Sequence, residues 1–130
     1  MSTEAEIRDL ARRFFDAIER GDIDTVYDGY APEARIWHNT DGREETRDDN
    51  AQTLRGFVKL IPERTYAQRR LHVTAGGFVQ QHELIGVHAD GTRVRLAACI
   101  VCAVEAGKIT RLDEYFDSAQ VAEFIKPARA

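Results

Sequence analysis

Residues 93–117 read RVRLAACIVCAVEAGKITRLDEYFD. Arg93 to Glu105 is a run of small, β-branched and apolar side chains with charged ends, the composition of a buried strand. Glu105-Ala106-Gly107-Lys108 follows as a tight turn carrying the glycine that hairpins favour. Lys108 to Asp117 alternates again, so the stretch reads as an antiparallel hairpin. Its second strand carries two adjacent acids, Asp113 and Glu114, which must point to opposite faces. One can be ordinary solvated surface. The other points wherever Leu112 and Phe116 point.

Working outward, RTYAQRRLHVTA (64–75) and FVQQHELIGVH (78–88) read as two further strands, with glycine in the turns on either side of the second. Upstream the period changes. Ile7, Leu10, Ala11, Phe14, Phe15 and Ile18 recur at helical spacing and predict an amphipathic helix over about residues 3–20. Thr3 with Glu6 fits a capping box, and Gly21 a stop. A short second helix presents Val26, Tyr27 and Tyr30 and is expected to end at Pro32. ARIWHN (34–39) reads as a strand, and TDGREETRDD (40–49) as a polar loop. Ala51, Leu54, Phe57, Val58 and Ile61 give a third helix stopped at Pro62. Residues 118–125 form a last short helix, with Ser118 as the expected N-cap. Helices first and a meander after them is an α+β order. A strongly curved, mostly antiparallel sheet wrapped around the helices makes a cone, with a pocket between the layers where a small ligand would sit.

The chain has 130 residues, enough for one domain and too few for two. Its 43% hydrophobic and 31% charged residues are ordinary for a globular protein. The net charge of −4, with both signs mixed along the chain, argues against a nucleic-acid partner. There is no apolar run of membrane-spanning length and no basic-then-apolar leader at the N-terminus, so the expectation is a cytoplasmic protein without a membrane partner. Cys99 and Cys102 have the spacing of a redox or half-zinc motif. On a strand, however, positions three apart face opposite sides, and no second pair completes a tetrahedral site. Two buried small side chains of a strand are the better reading. Four scattered histidines, no phosphate-binding glycine loop and no serine-nucleophile elbow leave no metal or cofactor expected.

FFDAIERGDIDTVYDGYAPEARIWHN (14–39) and GKITRLDEYFD (107–117) resemble the nuclear transport factor 2-like superfamily, its SnoaL-like and ketosteroid-isomerase-like branch. The resemblance spans nearly the whole chain, as one SnoaL-like domain over 1–130. It implies a cystatin-like roll and a homodimer paired through the sheet. Aligned with the isomerases, the oxyanion-hole tyrosine falls on Phe14, the general-base aspartate on His38 and the second oxyanion-hole acid on Cys99. All three are changed, which argues against that mechanism. The SnoaL-like and epoxide-hydrolase-like members place an acid on the last strand, and here it falls on Glu114, sharing a face with Thr110, Leu112 and Phe116. The Asp–Arg–Asp set of the epoxide hydrolases is missing, since the matching strand reads Gln81-His82-Glu83.

The expected catalytic residues are therefore Glu114, His82 and His38. Glu114 would move a proton beside a carbonyl or activate a water, unless it is a surface carboxylate or pairs with Arg93 or Arg95. His82 would share that proton if it faces inward, and a slip of one residue brings Gln81 and Glu83 in instead. On the first strand either His38 points inside or Trp37 and Asn39 do. Trp37 would floor the pocket, and Asn39 would orient a water or carbonyl. Phe14, Tyr30, Leu112, Phe116 and Cys99 complete the expected substrate-binding set, with Tyr30 at the mouth. The expected function is a cofactor-free acid/base enzyme of isomerase, cyclase or hydrolase type. Its substrate would be a small, mostly apolar, oxygenated molecule such as a polyketide, terpenoid or steroid-like compound. The alternatives are a binding protein with the same pocket and a dimeric interaction module.

Overall fold

A computed structural model describes residues 2–126. In chain order the elements are α1 (Glu4–Glu19), α2 (Ile23–Gly29), β1 (Tyr30–His38), β2 (Glu44–Thr46), α3 (Arg47–Leu60), β3 (Glu63–Thr74), β4 (Gly77–Val87), β5 (Arg93–Glu105), β6 (Lys108–Phe116) and α4 (Ser118–Phe124). The six strands form one sheet in the order β2-β1-β6-β5-β4-β3. Every neighbouring pair is antiparallel except β1 with β6, which run parallel. The architecture is the α+β curved sheet that the sequence order implies.

Thr3 opens α1 through the expected capping box: its side chain accepts from the Glu6 N–H while Glu6 accepts from the Thr3 N–H. One face of α1 buries Ile7, Leu10, Ala11, Phe14, Phe15 and Ile18 against the inner face of the sheet. Phe15 sits at the centre, edge-on to Tyr66 and Phe78 with ring centroids 5.3 Å and 6.5 Å away. Bulges bend the strands around this helix. Registers shift between Tyr30 and Arg35, between Ala67 and Arg70, and between Ala103 and Val104. Gln68, inside the second shift, takes a left-handed φ of 54°.

The structure corrects several boundaries. Pro32 does not end α2. The helix stops at Gly29, and Pro32 lies in β1 within the shifted stretch, where a missing N–H costs no regular ladder bond. The polar loop contains β2, whose Glu45 pairs with Ile36 of β1. The third helix starts at Arg47, because Thr46 and Asp49 form a second capping box ahead of the apolar periodicity. Asp117, not Ser118, caps α4, accepting from the Ala119 N–H at 2.8 Å. Thr110 does not join the pocket face. The shift at Ala103/Val104 turns Ile109 into the core, and the Thr110 hydroxyl donates to the Ala103 carbonyl.

α4 closes one end of the sheet. Phe124 is 1% exposed and lies on β4 at Gly86, where an added Cβ would stand 2.8 Å from its ring and 2.6 Å from Ile61. Glycine is therefore required at position 86 for space, independently of its backbone angles.

The β5–β6 hairpin holds Ala106 at φ 50° and Gly107 at φ 77°, the two left-handed residues of the turn that suits twisted strands. Alanine carries a Cβ penalty in that region which asparagine tolerates better. Ala106→Asn should stabilise the fold by up to about 1 kcal/mol, read as a raised urea midpoint. A midpoint that stays or falls contradicts this account of the turn.

Candidate functional site

The β1–β6 pairing builds the site. Its parallel register sets Ile36 beside Leu112, Trp37 beside Asp113 and His38 beside Glu114. Side chains alternate, so His38 and Glu114 leave the two backbones on the same, inner side. His38 Nε2 meets Glu114 Oε1 at 3.2 Å, with the two side chains 20% and 16% exposed. The Phe116 ring stacks flat on the other flank of the imidazole, 6° from parallel with centroids 5.9 Å apart. Asn39 fixes this register. Its side-chain oxygen accepts from the Phe116 N–H at 2.9 Å and its amide donates to the Phe116 carbonyl at 3.1 Å.

His38 and Glu114 look into a cavity of about 70 Å³ between α1, α3 and the sheet. Phe14, Phe15, Ile18, Ile36, Ile100 and Leu112 are its apolar walls. Tyr30, Tyr66, Asn50 and Thr53 add polar groups. The Tyr30 hydroxyl donates to Asn50 Oδ1 at 3.0 Å. The Asn50 amide donates to Glu45 at 3.2 Å, and the Thr53 hydroxyl donates to the other Glu45 oxygen at 2.6 Å. This chain ties α3 to β1 and β2 beside the His38–Glu114 pair. The space equals roughly two water molecules, against roughly 300 Å³ or more for a ligand pocket. With its walls where they stand, the cavity takes a head group and not a whole polyketide or steroid.

Burial acts on the His38 pKa first, pulling it down, but the Glu114 hydrogen bond and charge, with Glu45 and Asp41 behind them, reverse this and leave it raised above its ordinary 6.5. Tyr30 and Tyr66 are both held well above the ordinary phenol range, by burial first, then by Cys102 and Glu114 for Tyr30 and by the Glu114 charge for Tyr66. Both phenols stay protonated and can only act as neutral hydrogen-bonding groups at working pH.

His82 faces inward, so Gln81 and Glu83 point outward. Its partner differs from the expected one. Glu114 pairs with His38, and His82 Nδ1 lies instead 3.0 Å from the Gln80 amide. The imidazole packs edge-on to Tyr66 and Phe15 with centroids 4.7 Å and 5.4 Å away, and its Nε2 is buried with no partner among the described residues. Burial, helped by the Arg69 charge, lowers its pKa to about 4, so it is neutral near pH 7.

Three expected lining residues lie elsewhere. Trp37 is on the outer face of the sheet, edge-on to Tyr115 at 5.3 Å, because the register that admits His38 sends its neighbour out. Asn39 is exposed and spent on the Phe116 backbone. Cys99 also faces outward, in register with Gln81 and Tyr115, while Ile100 and Cys102 face in. The two cysteines are free and on opposite faces, as the strand reading requires, but only Cys102 is buried, because Cys99 lies on the outer face. Tyr30 lies deep in the cavity wall on β1, not at a mouth on α2. Phe14 and Leu112 line the cavity directly, whereas Phe116 stacks on the His38 ring and does not itself line the cavity.

Sequence reasoning missed Tyr66, Asn50, Thr53 and Glu45. Asn50 and Leu54 are one helical turn apart, so starting α3 at its Thr46 cap would have put Asn50 and Thr53 on the inner side. Nothing in the polar run around Glu45 marks it as part of a site. Among the described residues no three His, Cys, Asp or Glu side chains converge as metal ligands, and no helix is long and apolar enough to cross a membrane.

Residues 11–112, most of the chain, match the family model of the SnoaL-like domain. No curated protein matches the chain significantly. Among solved structures, a protein of unknown function from Burkholderia pseudomallei, described as NTF2-like, is 20% identical with a TM-score of 0.81, over 97% of this chain and 99% of that one. A candidate polyketide cyclase from Xanthomonas campestris pv. campestris is 20% identical with a TM-score of 0.81, over 95% and 97%. An LEH-like epoxide hydrolase of M. tuberculosis is 20% identical with a TM-score of 0.77, over 92% and 88%. At such identities the likeness is one of fold. The sequence match and the shared curved sheet together place this chain in the SnoaL-like domain family of the nuclear transport factor 2-like superfamily.

Proposed function

We propose that the protein is a cofactor-free acid/base enzyme acting on a small, mostly apolar, oxygenated molecule, with His38 and Glu114 as its proton-handling pair. The observation that carries this reading is the 3.2 Å contact between the two side chains at an otherwise apolar cavity. Glu114 Oε1 holds the imidazole, which leaves its second oxygen to take a proton from a carbon beside a carbonyl, or from a water. His38 lies in reach to share or return that proton, and the Phe116 stack and the Asn39 clamp keep its ring in place. His82, neutral and beside the Gln80 amide, packs against the Tyr66 ring outside the cavity lining and moves no proton in this scheme.

Isomerase, cyclase and hydrolase chemistry all begin with such a proton transfer. The candidate polyketide cyclase and the epoxide hydrolase among the fold relatives make that range reasonable. Only a substrate's reacting end fits the cavity. A polyketide- or terpenoid-sized body requires the α3 wall at Thr53 and Leu54 to move outward. The outer sheet face, where Val101 and Tyr115 are 40% and 46% exposed beside Trp37, supports a homodimer through that face.

The test is a screen of small ketones, enones and epoxides followed by NMR in deuterated water. Catalysed exchange or conversion by the wild type is the expected result. Saturable binding without either would overturn the enzyme reading and leave a ligand-binding protein.

A further inference from the structure

The hydrogen bonds behind the α3 side of the cavity all run one way. Directly opposed residues of two paired strands share a face, so Glu45 leaves β2 on the inner side with Ile36. As a carboxylate it only accepts hydrogen bonds, and that fixes every proton in the chain it holds. Thr53 gives its one hydroxyl proton to Glu45 Oε2. Asn50 must turn its amide nitrogen to Glu45 Oε1, which leaves Oδ1 toward Tyr30. Tyr30 must then donate, and its single proton is spent on Asn50. Asn50 and Tyr30 are 4% and 3% exposed, so bulk water does not replace either partner. A hydroxyl that has given up its proton offers only lone pairs elsewhere. Tyr30 therefore faces the cavity as a buried acceptor, and Thr53 does the same at the exposed end of the lining. Beside them Asn50 keeps one unspent amide N–H. The Tyr66 hydroxyl, across the cavity, is free to turn either way.

We propose that Tyr30 and Asn50 form a recognition site for an alcohol hydroxyl, with Glu45 as the positioning residue that sets its polarity, so that the substrate of the acid/base pair carries a hydroxyl beside its reacting end and is not a plain ketone. This rests on the cavity being the site of the acid/base reading. An alcohol satisfies both groups: its O–H donates to the Tyr30 oxygen, and its own oxygen accepts the spare Asn50 N–H. A ketone brings only lone pairs to a tyrosine that also has only lone pairs to offer. Glu45 stands behind the lining and touches no ligand. It acts through the order it imposes on Asn50 and Tyr30. The selectivity is therefore held by one charge on β2, two residues removed in the chain relay from the oxygen that meets the substrate. Discrimination of this kind is strong where a site's polar group would be buried without a partner.

The probes are 2-propanol and acetone, of nearly equal size and small enough for a cavity of about 70 Å³. Each is titrated by NMR into wild type, Glu45→Gln and Tyr30→Phe, following the cavity methyls of Ile36, Ile100 and Leu112. Deuterium uptake by acetone is read in the same samples. The wild type should hold the alcohol roughly 10-fold more tightly than the ketone, the scale of one mismatched buried polar group. In Glu45→Gln the relay is no longer fixed, so Tyr30 is free to donate when a ketone arrives. The preference should fall to within about 2-fold. Tyr30→Phe, which tests the same oxygen without touching Glu45, should weaken 2-propanol by roughly 10-fold and leave acetone nearly unchanged. An equal preference in all three proteins would place the alcohol on Glu114 instead and overturn the assignment. So would a wild type that favours acetone, or one that neither probe saturates. Selectivity that depends on Glu45 and Tyr30 in a wild type that exchanges no acetone deuterium would support the polarity and remove the acid/base reading. Exchange without selectivity would do the reverse.

Discussion

Glu114→Gln carries the His38 titration from above its ordinary value to below it. In the wild type burial alone would depress the imidazole, and the Glu114 carboxylate at 3.2 Å overrides it. Glutamine keeps the size and a hydrogen-bonding oxygen but loses the charge. Glu45 and Asp41 remain, at longer range and with smaller influence. The dominant surviving effect is burial, so the His38 midpoint falls below its ordinary 6.5. The histidine ring resonances followed by NMR against pH check this without a substrate. An unmoved His38 midpoint would mean that the two groups do not act as one unit. On any substrate the protein turns over, the same variant should lose about 10²–10⁴-fold in kcat, the usual worth of a positioned general acid or base. In the wild type the pH–rate profile belongs to the pair, and its midpoints are not to be divided between the residues. In Glu114→Gln any residual activity should follow the single histidine.

How much of this was legible in the sequence follows from where a rule of period two holds. The β5 run is unbroken, so the cysteines on opposite faces could be read from alternation, whereas β4 carries apolar residues on both faces and left His82, or Gln81 with Glu83, to be placed by the structure. Glu114 could be read too, because it lies beyond the irregularity in β6 and shares parity with Leu112 and Phe116. Thr110 could not. One extra residue at Ala103/Val104 hands its place to Ile109, and no residue type announces a bulge there. β1 left two registers open for a different reason. Trp37 is the largest apolar side chain of ARIWHN, and hydrophobicity alone sends it inside. Its partner Tyr115, more than 70 positions away, holds it on the outer face, and His38 takes the cavity. The pairing of His38 with Glu114 depends on two strands that meet only through a parallel contact across more than half of the chain, which local pattern cannot supply. Cys99 shows that aligning with the isomerases without a gap placed a residue one position away from the inward-facing Ile100.

The two histidines of the inner sheet face should bend the stability curve in opposite directions. His38 has a folded pKa above 6.5, so it binds its proton more tightly in the folded state. Its contribution is fully present below pH 6.5 and is lost as the pH rises through the folded value. His82 works the other way. It is 6% exposed and titrates at about 4 when folded, against 6.5 when unfolded. The unfolded chain therefore binds the extra proton first, and stability falls as the pH drops from 6.5 toward 4. The full displacement corresponds to about 3 kcal/mol, a sizeable share of the total stability of a domain this small. Between them the two residues favour a stability maximum near pH 6.5. The capping carboxylates Glu6 and Asp22 and the paired Asp9 also weaken the fold in acid. Their pKa values are lowered from 4.5 and 3.8, so they act below that window. Urea unfolding at half-unit steps from pH 8 to 4, in wild type and His82→Gln, separates the contributions. The wild type should lose about 3 kcal/mol on the acid side, and the variant should be nearly flat down to about pH 4.5. Parallel curves for the two proteins would mean that His82 is reached by water in the folded state, and that the wall beside Tyr66 is open where the structure has it closed.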